Sequence, residues 1–109
     1  MKDCLIYTNI EENSKLFSHE IQDIVSENGE TFLEKNSDFD LKKSKNFPDG
    51  FLYFRSILEI SIKDDSDEIL IINSILNLLW NNNISAIASC DFEDKLIHKG
   101  GYKNQSIPF

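Results

Sequence analysis

FLYFRSILEISI, residues 51–62, followed at once by KDDSDEILIINSILNLLW, residues 63–80, decides how this chain folds. In the first half Leu52, Phe54, Leu58, Ile60 and Ile62 alternate on one face, interrupted only by Ser56, which is the period of a β-strand. Phe51, Tyr53, Arg55, Ile57, Glu59 and Ser61 make the other face. Two aromatics, an arginine and a glutamate give it the make-up of a covered face or a protein-binding surface. In the second half the period lengthens. Ile69, Ile72, Leu76 and Leu79 form one helical stripe, flanked by Ile71, Ile75 and Leu78, so the spacing predicts a well-buried helix over about 66–80. Asp65 is the expected N-cap, with Glu68 at the third position and the acidic run 64–68 favoured by the helix dipole. The run lacks the central glycine and terminal glutamate of a calcium loop.

Moving toward the C-terminus, Asn81, Asn82 and Asn83 stop the helix, because asparagine tolerates the left-handed conformation of a C-cap. Ile84, Ala86, Ala88 and Cys90 then alternate with Ser85, Ile87 and Ser89 as a strand. The small residues on its inner face let a bulky helix lie close. Asp91, Glu93 and Asp94 come where that strand ends, at a sheet rim, a common place for binding groups. Gly100-Gly101 permits a tight turn with positive φ but opens no helix, so it is no phosphate loop.

Toward the N-terminus, residues 3–8 (DCLIYT) read as a first strand. Asn9 with Glu12 resembles a capping box, and Ile10, Phe17, Ile21 and Ile24, widened by Leu16 and Val25, predict a helix ending at Asn28-Gly29. His19 has no second ligand at useful spacing and is expected at the surface or its boundary. Between residues 30 and 50, either Thr31-Phe32-Leu33 or 38–41 can seed a weak strand. Lys42, Lys43 and Lys45 are its basic cluster, expected on a solvated edge. Phe47-Pro48-Asp49-Gly50 is a β-turn.

The resulting order is βαββαβ: an α+β ferredoxin-like sandwich, with an antiparallel sheet and two helices on one face. An α/β arrangement with another strand order is the alternative. At 109 residues the chain is expected to form one domain, 1–109, with a single hydrophobic core. No apolar run is long enough to span a bilayer, and no signal peptide is read at the N-terminus, so a cytoplasmic location is expected. Cys4 and Cys90 are expected as reduced, buried thiols; nothing in their context supports a disulfide.

Nineteen acidic against eleven basic residues give a net charge of −8. That balance repels nucleic acid and anionic membranes and attracts basic partners. Catalysis has little to stand on. Cys90 with His98 is the one conceivable nucleophile–base pair, and a thiol on an apolar core face is inert. Asp91, Glu93 and Asp94 lack companions at metal-ligand spacing. No enzyme activity, cofactor or metal site is therefore expected.

FPDGFLYF at 47–54, LLW at 78–80, and ASCDFEDKL at 88–96 with KGGY at 99–102 resemble small immunity proteins of bacterial polymorphic-toxin and contact-dependent growth-inhibition systems. The likeness covers roughly the C-terminal 60 residues. It implies a non-enzymatic inhibitor that binds one cognate toxin domain, often a nuclease, and blocks its active site. The charge agrees: nuclease sites are basic because they hold phosphate, and an acidic rim can be steered to them. The expected partner-binding residues are Asp91, Phe92, Glu93, Asp94 and Tyr102. Tyr53, Arg55 and Glu59 form a competing surface. Phe92 has a second reading as core, continuing the face of Ile84, Ala86, Ala88 and Cys90. A small-molecule or metal-binding regulatory domain is the alternative function.

Overall fold

A computed structural model describes residues 2–11, 14–35, 54–97 and 100. In chain order the strands and helices are β1 (Lys2–Thr8), a first helix α1 (16–28, in three segments), β2 (Gly29–Lys35), β3 (Ser56–Ile62), α2 (Glu68–Asn81) and β4 (Ala86–Ser89). The α+β class and the βαββαβ order are as expected from the sequence. The four strands form one sheet in the order β2-β3-β1-β4, and every neighbouring pair is antiparallel.

Register sorts the side chains into rows. On one face Leu33, Leu58, Ile6 and Ala88 lie side by side, as do Thr31, Ile60 and Cys4. Both helices cover this face, since Ile21 and Val25 of α1 and Ile72, Ile75, Leu76 and Leu79 of α2 share a single core with it. The alternation read in residues 56–62 is therefore correct: Ser56, Leu58, Ile60 and Ile62 are buried, and Ile57, Glu59 and Ser61 are half-buried on the other face. Ser56 interrupts the apolar row at little cost because its hydroxyl donates to the Ile10 carbonyl at 2.8 Å. Thr8 does the same toward Ser85 O, also at 2.8 Å.

Several boundaries move. The strand begins at Ser56 rather than Phe51: Phe54 and Arg55 precede it, while Phe51, Leu52 and Tyr53 lie outside the described residues. Helix α2 is capped by Asp67, not Asp65. Asp67 has extended backbone angles, and its carboxylate accepts from the Leu70 N–H at 3.0 Å. The asparagine stop is as expected, with Asn82 at the C-cap and Asn83 at φ 59°.

Asn9 does not cap α1. Its N–H donates to Ser85 O, extending the β1–β4 pairing, and its side-chain oxygen accepts from the Arg55 N–H. The cap is Ser14, whose hydroxyl accepts from the Leu16 N–H at 3.2 Å. From there α1 changes pitch twice: π-helical over Leu16–Ile21, α-helical over Gln22–Val25 and 3-10 over Ser26–Asn28. Ile21 at the end of the π-helical stretch is in the core, and Leu16 at its start packs against that core. The reversal into β2 is made at Ser26, with φ 45°. Gly29 serves a different need. A Cβ there would stand 2.0 Å from the Ser61 carbonyl oxygen, so β2 reaches β3 only because that position has no side chain.

Of the two candidates for the weak strand, Thr31-Phe32-Leu33 is the one inside β2; residues 38–41, the lysine cluster and the Phe47–Gly50 turn lie outside the described residues. Ala86 and Ala88 are fully buried where α2 meets β4. The Ser85 carbonyl faces β1, so the Ala86 carbonyl faces away, toward the sheet edge. There the Trp80 indole N–H donates to it at 3.1 Å. Gly100, at φ 79°, lies next along the same edge, where a Cβ would approach Ala88 O to 3.0 Å. The outward carbonyls of β4 are thus covered, which protects an otherwise open edge.

Candidate functional site

β4 ends at Ser89, and the chain turns through Cys90, Asp91 and Phe92 into a 3-10 turn, Glu93–Lys95. Lys95 N–H closes the turn on Phe92 O at 3.0 Å. Leu96 is buried in the core, and the Ile97 N–H donates to Asn73 Oδ1 of α2 at 3.0 Å. This anchoring decides the orientation of the side chains between. Phe92 is half-buried against the core, and Asp91 and Asp94 are exposed. Of the other expected residues here, Glu93 is described in its backbone only, and Tyr102 lies outside the described residues.

Asp91 and Phe92 line a cleft of about 580 Å³ together with Asp3 and Leu5 of β1 and Ser89 of β4. Its far wall is an ion pair, Lys2 Nζ to Glu68 Oε1 at 2.6 Å, with Lys95 nearby. The hydrogen bond from Lys2 holds the Glu68 carboxyl below its ordinary range, helped by Glu68's own backbone N–H; the same bond raises the Lys2 ammonium. The wall is therefore charged but internally neutralised, whereas Asp91 stands outside that pair. Cys90 also lines the cleft. Neither cysteine is in a disulfide; Cys4 is buried as expected, and Cys90 is half-buried rather than sealed in the core.

The second expected surface is built on the sheet face opposite the helices. Glu59 lies in the middle of a row that reads Phe32, Glu59, Leu5, Ser89 across the four strands. The next row is Glu34, Ile57, Tyr7, Ile87, and the row on the other side is Glu30, Ser61, Asp3. Phe32 is 56% exposed, one of two large apolar side chains so exposed among the described residues. The Ser61 hydroxyl donates to Asp3 Oδ1 at 2.7 Å. The Glu34 carboxylate beside it pushes the Glu59 carboxyl up, with desolvation and the charge of Asp3 adding to it. Arg55 is exposed but precedes the strand, and Tyr53 lies outside the described residues.

The two expected surfaces meet at Asp3. It lines the cleft beside Asp91 and sits on the same sheet face as Glu59, whose charge it opposes. Sequence reasoning missed Asp3, Glu30, Phe32 and Glu34. The period-2 spacing of Glu30, Phe32 and Glu34 was a usable signal for that face. Their placement beside Glu59 depends on the β2–β3 register, which a single sequence does not disclose.

No family model, curated protein or solved structure matches the chain. Chemistry at the site must therefore be argued from its residues alone. Among the described residues, no group of three His, Cys, Asp and Glu is placed to hold a metal ion, and no helix is long and apolar enough to cross a membrane. His98, the proposed companion of Cys90, lies outside the described residues, and His19 is exposed on α1. What the arrangement offers is a run of carboxylates with an apolar anchor beside it.

Proposed function

We propose that this protein is an immunity-type inhibitor, acting in the cytoplasm without catalysis, which neutralises a cognate toxin domain of the nuclease kind. It does so by laying an acidic surface over the toxin's basic active site. The observation that carries the reading is the continuity of that surface: Asp91 at the cleft, then Asp3, then Glu59 and Glu34 across the sheet. A phosphate-binding site on the toxin presents arginine and lysine, and a contiguous acidic patch on a chain of net charge −8 attracts such a site over the screening distance of about 8 Å at physiological salt. Half-buried Phe92 and exposed Phe32 supply apolar contact within the charged field.

The strand order supports grouping the fold with ferredoxin-like sandwiches, since β1 and β3 are central and each helix crosses over one strand as two interleaved split βαβ units. The test of function is rescue. Co-expression with a toxin domain, sought among the products of neighbouring genes, should restore growth, and Asp91→Lys combined with Glu93→Lys should lower both rescue and affinity. Unchanged rescue in that variant removes the Asp91 rim from the interface. Failure of the unmodified protein to rescue removes the function.

One observation favours a second reading. The cleft volume falls within the range of about 300–1,000 Å³ typical of small-ligand sites, so a regulatory domain that takes a small molecule at Asp3 and Asp91 is the alternative. A thermal shift on exposure to a metabolite panel, absent in Asp91→Asn, would favour it.

A further inference from the structure

The sheet face opposite the helices contains, at its β2–β3 side, an arrangement more specific than its charge. Within the four strands this face carries Asp3, Glu30, Glu34 and Glu59 and no basic residue. Phe32 is directly across the β2–β3 pair from Glu59, where opposed side chains stand about 5 Å apart at Cβ. Glu34 follows Phe32 on the same side of β2, two residues along. The three therefore form a triangle of one exposed ring and two carboxyls. Glu34 lies diagonally across the pair from Glu59 and raises its carboxyl, and among the described residues neither has a cation within ion-pair distance.

Such a triangle suits one group. A guanidinium is planar, always charged and presents five N–H donors in a rigid fork, so it can bridge two carboxylates while its flat side lies on an aromatic ring. An ammonium fills the charge but not the plane. We infer that Phe32, Glu34 and Glu59 form a seat for an arginine side chain presented by a basic protein partner, and that β2–β3 is the docking face. This deepens the inhibitor reading above and rests on it for the partner's identity. It moves the centre of contact from the Asp91 rim to the sheet, leaving Asp91 and Asp3 as flanking charges that steer approach. Partner arginines are also the residues most often found as interface hot spots, which fits a seat in the middle of a face rather than at its margin.

The experiment needs no toxin. The full chain, labelled with ¹⁵N, is titrated with a tetra-arginine amide at low salt, and the amide shifts are mapped. The largest shifts are expected at Phe32, Glu34 and Glu59. Phe32→Ala and Glu59→Gln should each weaken peptide binding by at least about threefold, and Asp23→Asn, exposed on α1 across the sheet, should not. Tetra-lysine should bind more weakly than tetra-arginine. Largest shifts at Asp91 and Asp94, shifts spread evenly over all acidic positions, or undiminished binding by Phe32→Ala would each overturn the seat. Retained amide dispersion shows that the variants are folded. The two readings fail separately. Undiminished rescue from toxin by Glu34→Lys with Glu59→Lys sinks the seat and leaves the inhibitor standing. Peptide binding at the seat without rescue from toxin does the reverse.

Discussion

Thr31 places a hydroxyl in an apolar layer between Ile60 and the helices, 6% exposed, and among the described residues its oxygen has no hydrogen-bond partner. An unmet buried hydroxyl costs more than it returns, and valine keeps the shape without the polar atom. Thr31→Val should raise stability by about 1 kcal/mol, measured as a higher urea midpoint at unchanged slope. Glu59 makes a different prediction, because its carboxyl is raised by Glu34 beside it. Between the unfolded value of about 4.3 and the raised folded value, the native state binds more protons than the unfolded one. Stability from this group is therefore lost as pH rises through that window. Glu59→Gln should unfold at higher urea than the parent at pH 7 and at the same urea at pH 3.5. Equal midpoints at both pH values would show that the two carboxyls do not interact.

The elements differ in how far the sequence revealed them, and the reasons are physical. α2 and β3 were legible because each carries an apolar period that only one secondary structure satisfies. Their ends were not. Three acids near α2 can each cap a helix, and the choice of Asp67 rests on backbone angles that composition does not encode. Asp67→Ala should cost about 1 kcal/mol by chemical denaturation, while Asp65→Ala should stay within about 0.5 kcal/mol. The reverse order would restore the cap expected from the sequence. α1 was harder because a π-helical turn breaks the 3.6-residue period over Leu16–Ile21, so the spacing of Ile10 and Phe17 falsely extended it backward. Ile10 is buried, but as part of the connection leaving β1. β2 was weak in sequence because it lies at the edge of the sheet with one wet face, where propensity counts for little.

At the scale of the molecule, the sequence located the two halves of the acidic surface but not their connection. Asp91 and Glu59 were found separately, one as a strand end and one as a face. Only the antiparallel register of β1 with both β3 and β4 brings Asp3 between them. For the basic partner proposed above, the net charge sets the expected sign and the topology sets the expected footprint. Because the surface is exposed, association with a basic partner should slow as salt rises, with the dissociation rate far less affected. Stopped-flow measurement at 50 and 500 mM salt checks this; equal association rates would mean that Phe32 and Phe92, not the carboxylates, govern encounter.

The position of β1 has a consequence for how the chain acquires its shape. The strand synthesised earliest sits between β3, more than fifty residues later, and β4, some eighty residues later. A ribosome releasing this chain exposes Cys4 and Ile6 long before either neighbour exists, and every pairing of β1 closes a long loop. The sheet cannot be completed until β4 has been made, which places folding among the slower small mixed domains. A chain stopped at Asn83, with α2 complete but β4 missing, should show no cooperative unfolding transition and should be degraded in the cell. Helix α2 would then lose the part of the sheet formed by Ala86 and Ala88, and Trp80 the strand-edge carbonyl that its indole holds.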